Sequence, residues 1–192
     1  MKQRFSGLIL FVLFVLFLTA AFAADISQPD RARLDGIQQT LSADVPRVLC
    51  LDQNFATGGQ PTGDAYVKAA AGGFRSVLSL RTNTEGIDLV LERARVESNK
   101  MRYFNIPVSG SSPRPEQADE FLRIARDKIN HPMLVNCASA NRVGAFMMIL
   151  RVVDQGWSED KALEEAVKIG LAGEGLKKFA KDYIADKTAK RR

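Results

Sequence analysis

The chain is poor in the residues that build metal sites and disulfide scaffolds. Its 192 residues include one histidine and two cysteines, Cys50 and Cys137. No cluster of His, Cys and carboxylates stands at metal-ligand spacing, so neither a metal nor another cofactor is expected. Two cysteines are too few for a disulfide-dense scaffold. Beyond the N-terminus there is no second long apolar run, which excludes a polytopic membrane protein. Internal repeats and low-complexity tracts are absent as well. The net charge of +5 comes without aromatic interleaving or a recognisable binding motif, so no specific nucleic-acid partner is expected.

The one long apolar run lies at the start. Lys2 and Arg4 precede Leu8–Leu18, and Ala21 and Ala23 occupy the minus-three and minus-one positions of a secretory cleavage site. Cleavage after Ala24 also fits, with Phe22 at minus three, and residues 1–24 are expected to be a signal peptide. An uncleaved membrane anchor is the alternative. Either way the domain is expected outside the cytoplasm, periplasmic or secreted. Removing Lys2 and Arg4 lowers the charge from +5 to +3 and leaves 168 residues, enough for one domain with a real core. Export permits a Cys50–Cys137 bridge. Unpaired, Cys50 is a small apolar side chain in a strand.

Residues 25–45 are expected to form a leader segment with a helix over about Arg31–Leu41. The main domain is expected over 46–186, followed by a basic tail over 187–192. Strands are expected at Arg47–Leu51, Asn54–Thr57, Phe74–Leu80 and Met101–Val108, and from Pro132 to Cys137. Helices are expected from Thr62 to Ala71, Gly86 to Ser98, Pro115 to Asn130, Val143 to Asp154, Ser158 to Ile169 and Glu174 to about Ala185. Ala118, Phe121, Leu122, Ala125 and Ile129 recur at helical spacing. Strands alternating with helices predict an α/β fold, a central and mostly parallel sheet flanked by helices. Ligands of such sheets gather beyond the carboxyl ends of the strands.

Cys137 stands at such an end. Met133-Leu134-Val135 leads into Cys137-Ala138-Ser139-Ala140-Asn141-Arg142, and an apolar helix follows. Small side chains let successive N–H groups of residues 138–142 converge on an anion, and Arg142 adds a charged fork. The same donors would stabilise a thiolate on Cys137, turning it into a nucleophile. An arginine at the positive end of a helix is locally unfavourable, and an incoming anion would account for it. The chemistry fits a phosphoesterase working through a phosphocysteine or a sulfurtransferase working through a persulfide.

Four segments carry a family resemblance: Asn54-Phe55-Ala56-Thr57-Gly58-Gly59-Gln60-Pro61-Thr62, Gly73-Phe74-Arg75-Ser76-Val77-Leu78-Ser79-Leu80-Arg81, Tyr103-Phe104-Asn105-Ile106-Pro107-Val108 and the cysteine loop. Over about Val48–Val153 the chain resembles the bacterial phosphatase-like family of the cysteine-dependent dual-specificity and tyrosine phosphatase superfamily, a domain also found fused to β-lactamase-like hydrolases. The resemblance implies that Cys137 attacks phosphorus, that Arg142 holds the phosphoryl oxygens, and that an acid protonates the leaving oxygen. Its implied partner is a phosphorylated or other anionic substrate, a phosphotyrosine or small aryl phosphate among them. The oligomeric state stays open.

The chain departs from that pattern in several places. Asn136 replaces the usual preceding histidine, four residues rather than five separate Cys137 from Arg142, and Val143 replaces a hydroxyl residue. The four-residue spacing also resembles rhodanese-type sulfurtransferases. Ala140 stands where a glycine is expected and resists left-handed backbone angles, which keeps a catalytically degraded anion-binding domain in view. No aspartate lies in Ser109–Arg114. Asp119 and Glu85 are the candidate acids, with Glu116 and Glu120 near the first. His131, before a proline at the strand's far end, is expected to be structural.

Overall fold

The computed structural model describes residues 27–190. The expected signal segment therefore lies outside the described residues. Among the described residues, no helix is long and apolar enough to cross a membrane, and no cluster of His, Cys, Asp and Glu could hold a metal ion.

Five strands form one sheet: β1 (Leu49–Cys50), β2 (Phe55–Gly58), β3 (Ser76–Ser79), β4 (Arg102–Asn105) and β5 (Met133–Asn136). Their order is β1-β2-β5-β3-β4. Only the β1–β2 hairpin pair is antiparallel. β5 lies between β2 and β3, with Asn136 in register with both Gly58 and Ser79. Three parallel strands thus end at one level. The loops that follow them, carrying Gln60, Arg81 and Cys137, meet at the same edge of the sheet.

Strand alternation splits the apolar residues between two cores. Phe55, Leu78, Met133 and Val135 face one, together with α4 (Pro115–Arg126), α5 (Asn141–Val153), α6 (Glu159–Ile169) and α7 (Glu174–Ala189). Ala56, Val77 and Leu134 face the other, with α1 (Gln28–Leu41), α2 (Ala65–Ala71) and α3 (Leu89–Ser98). The leader is not a separate segment. Ser27 caps α1 by accepting from the Asp30 N–H, and Leu34 and Leu41 are buried in the second core. At the start of the expected basic tail, α7 continues through Lys187, whose ammonium pairs with Asp119.

Most other boundaries fall within three residues of expectation. The Pro115 helix ends at Arg126, and Asp127 caps a separate turn of 3₁₀ helix over Lys128–Asn130. The ring of His131 is structural, as expected: Nε2 lies 2.8 Å from the Ala125 carbonyl and the ring packs edge-on against Phe55. Both cysteines are free. Cys50 belongs to the second core and Cys137 to the first. Burial, with the charge of Asp35 adding to it, pushes the Cys50 thiol up from 9.0 to about 11.

α5 is buried on nearly every side and is the axis of the first core. Phe146, Met147, Met148 and Ile149 are all 0 % exposed, and each such side chain stabilises by about 1.5–3 kcal/mol. Close packing against α6 requires Gly144. A methyl there would sit 2.7 Å from the Ala166 carbonyl oxygen and 2.8 Å from Leu171 Cβ. Gly144→Ala is therefore expected to lower the unfolding free energy by about 1–3 kcal/mol. Denaturant titration of wild type and variant checks this; an unchanged midpoint would show that α6 yields without cost.

Candidate active site

The loop after β5 turns the chain from strand to helix within four residues. Cys137 is 1 % exposed. Ala140 makes the turn by adopting φ 66° and ψ 0°, the left-handed conformation that its side chain disfavours, at a cost of roughly 1–2 kcal/mol. Sequence reasoning weighed this alanine against the loop, yet the turn forms with the alanine in place. Its methyl is buried in the first core beside Gly170.

The loop is pinned from outside by its carbonyls. Gln60 N–H donates to Ala138 O at 3.2 Å, and Gly144 N–H donates to Ala140 O at 2.9 Å. Gly59 permits the first contact, since a Cβ there would lie 3.0 Å from Ala138 O and 3.2 Å from Pro46 O. Asn141 Oδ1 accepts from the N–H groups of Ala172 and Gly173 at 3.0 and 3.3 Å. The Asn141 side chain thereby ties the loop to the start of α7. Among the described residues, the N–H groups of Ala138, Ser139, Asn141, Arg142 and Val143 donate to no protein acceptor. A strand-to-helix loop with these donors unpaired has the form in which backbone N–H groups can hold an anion.

Arg142 is buried and divided between two tasks. Nη1 donates to Leu80 O at 3.0 Å, Val108 O at 2.7 Å and Glu85 Oε1 at 2.6 Å. Nη2 donates to Glu85 Oε2 at 2.6 Å. These bonds occupy the end of the guanidinium and leave the edge formed by Nε and the second Nη2 hydrogen. Burial opposes the charge on Arg142. Its hydrogen bonds to Glu85, with the electrostatic influence of nearby Cys137 and Glu85, outweigh that effect and hold its pKa above the usual arginine range. The resident carboxylate also corrects an expectation. Glu85, not an incoming anion, compensates the arginine at the positive end of α5.

Glu85 is brought to the site but is not placed as an acid. Besides Arg142, its carboxylate lies 2.8 Å from Arg81 Nε and accepts from Thr82 N and Oγ1 at 2.9 Å each. The hydrogen bonds from Arg142, working against burial, lower its pKa from 4.5 to about 2. A carboxyl ionised across neutral pH donates no proton, so Glu85 is a clamp on Arg142.

Asp119 is not brought to the site. Its Oδ1 accepts from Tyr183 Oη at 2.7 Å and Lys187 Nζ at 2.6 Å, bracing α4 against α7. The hydrogen bonds from Lys187 and then Tyr183 lower its pKa. Glu116 is exposed at the start of α4, and Glu120 is a surface neighbour of Arg123. A cleft of about 460 Å³ opens over the loop, lined by Ser139, Arg142, Glu85, Thr82, Ser109 and Gly173 among others.

Sequence reasoning missed a second tier. Gln60 Oε1 accepts from Arg81 Nη1 at 2.9 Å, and Gln60 Nε2 donates to Glu92 Oε1 at 2.7 Å. Glu92 is 4 % exposed and also accepts from Tyr66 Oη at 2.8 Å and Tyr103 Oη at 2.5 Å. Burial first, and then Glu92, pushes both phenols well above the usual tyrosine range, which keeps them donors. Gln60 and Arg81 lay in the motif segments. Their partners, 21 and 32 positions apart in the chain, left no local signal.

Comparison with known proteins places this geometry. The family model described as DSP-PTPase phosphatase fused to NAD+ kinase matches residues 28–191. A β-lactamase hydrolase-like protein of Xylella fastidiosa strain 9a5c is 28% identical over 120 residues, covering 60% of this chain and 27% of that protein. The chain thus spans about a quarter of the length of the curated relatives it matches. A putative phosphatase from Shewanella putrefaciens CN-32 superposes with a TM-score of 0.63 at 18% identity, covering 83% of this chain and 97% of that one. Pseudomonas aeruginosa TpbA, solved in complex with phosphotyrosine, gives a TM-score of 0.58 at 21% identity over 72% of this chain and 82% of that one. At these identities the superpositions establish the cysteine-dependent phosphatase fold.

The clamp has a pH signature. The folded pKa of Glu85, about 2, lies below its ordinary 4.5. Its stabilising contribution is therefore complete above about pH 4.5 and lost as pH falls toward 2. The stability gap between wild type and Glu85→Gln should be constant near neutrality and shrink below pH 4.5. Denaturant midpoints measured from pH 7 down to pH 3 read it; a gap that stays constant to pH 3 would contradict the clamp.

Proposed function

Since the chain belongs to the family of DSP-PTPase phosphatases fused to NAD+ kinase, we propose that it hydrolyses phosphoesters through a phosphocysteine on Cys137. The observation that carries this reading is the free edge of Arg142 beside Cys137, over a loop whose amides lack partners. Family membership also favours phosphoryl over sulfur transfer, the choice left open by the four-residue spacing.

A phosphoryl group entering the loop accepts hydrogen bonds from the free amides of Ala138, Ser139, Asn141, Arg142 and Val143 and from the Arg142 side chain, donors that need no rearrangement as charge spreads over its oxygens. The Cys137 thiolate attacks phosphorus; the S–P bond forms as the bond to the leaving oxygen breaks. Water then attacks phosphorus, the S–P bond breaks, and inorganic phosphate and a proton are released while the thiolate is restored. A nearly buried nucleophile suits an electrophile small enough to enter the loop.

Neither carboxylate weighed as general acid is placed to donate a proton, which favours a substrate whose leaving oxygen is already stable as an anion. An aryl phosphate meets that need, and the phosphotyrosine complex of TpbA supports it. Lys2, Arg4 and the apolar run Leu8–Leu18 support export, and hence a reaction outside the cytoplasm.

Steady-state hydrolysis of p-nitrophenyl phosphate tests the roles. Cys137→Ser should abolish turnover. Arg142→Lys, which removes the planar fork but retains a positive charge, should lower kcat/KM by about 10²-fold or more. Wild-type rates from a pure Cys137→Ser preparation would exclude the phosphocysteine route.

A further inference from the structure

We propose that Gln60 is a positioning residue for Arg142, acting through Arg81 and Glu85; this rests on the anion-binding reading of the loop. Gln60 touches the machinery at two points. Its backbone N–H holds the Ala138 carbonyl of the loop at 3.2 Å. Its side chain holds Arg81, which in turn donates through Nη2 to the Glu85 carbonyl at 2.9 Å and pairs in charge with the Glu85 carboxylate, Nε lying 2.8 Å from it without the alignment of a hydrogen bond. Glu85 is the bidentate partner of Arg142.

The amide of Gln60 is polarised in one sense. Its donor end meets the Glu92 carboxylate and its acceptor end meets the Arg81 guanidinium. Glu92 is itself fixed by Tyr66 and Tyr103 from the second core. A neutral side chain with a donor and an acceptor on one carbon is therefore the chemistry required between a buried anion and a buried cation. Asn105 supports the same point from β4, donating to the carbonyls of Ser79 and Arg81 at 3.0 and 2.9 Å. The chain of contacts runs from the second core to the edge of Arg142 without a gap wider than a hydrogen bond. Its consequence is directional. Loss of Gln60 frees Arg81, loosens Glu85 and lets the guanidinium drift relative to the loop, where a displacement of about 1 Å is enough to cost 10²-fold in function.

Competitive inhibition by orthovanadate, read beside the thermal midpoint, separates positioning from simple structural support. Gln60→Met keeps the side-chain volume while removing both polar ends, and should weaken vanadate about tenfold or more at temperatures where the variant is fully folded. The double variant Gln60→Met/Glu85→Gln should lose little beyond the larger single loss, because both break one chain of contacts. If Gln60→Met lowers only the thermal midpoint and leaves vanadate inhibition unchanged, or if the two losses multiply, the positioning role is wrong. Should Gln60→Met not fold, Arg81→Lys is measured in its place with the same two outcomes. Indifference of the wild type to vanadate would instead overturn the reading of the loop, and the role of Gln60 with it.

Discussion

The bidentate pair between Glu85 and Arg142 is the contact on which the site depends. An arginine at the first turn of a buried helix opposes the helix dipole and loses hydration, so it is tolerated only with a fixed counter-charge. Glu85 supplies that charge at 2.6 Å from both terminal nitrogens. Two carbonyls, from Leu80 and Val108, complete the enclosure. The pair consumes one end of the guanidinium and leaves the Nε edge without a protein acceptor. Orientation, more than added positive charge, is what Glu85 contributes.

The sheet makes this arrangement possible. β2, β5 and β3 end in register, so the loops carrying Gln60, Cys137 and Arg81 converge without any of them being long. α5 then carries Arg142 back across the ends of β3 and β4. The two cores have different shares in the site. The first, around α5, fixes where the loop and the helix start lie. The second sends up one polar column, Glu92 to Gln60 to Arg81, which reaches the same arginine from the opposite face of the sheet.

Periodicity and composition made the architecture legible. α4 was readable from Ala118, Phe121, Leu122 and Ala125, and α5 from a run apolar on all sides. Four of the five strands proved shorter than their expected runs; β4 stops at Asn105 because its partner β3 stops at Ser79. Cys137 and Arg142 were legible because loop, strand and helix adjoin in the chain. The acids were not. Asp119 sits beside the core-facing stripe of α4, and only the course of α7, some 64 residues later, decides that it meets Tyr183. Glu85 was found as a residue near the site and misjudged in role, since the guanidinium that ionises it lies 57 positions away. Ala140 carries a different lesson. Backbone preference weighs roughly 1–2 kcal/mol, and the packing of a strand, a loop and a buried helix outweighs it.

Chemical trapping tests the central claim most directly. A folded sample turning over an aryl phosphate is quenched in acid within the first turnovers, digested and mapped by mass spectrometry. A phosphoryl group on the peptide containing Cys137, lost on brief incubation before the quench, is the predicted result. Phosphate on another residue, or steady turnover with Cys137 unmodified and still freely alkylated, would contradict it.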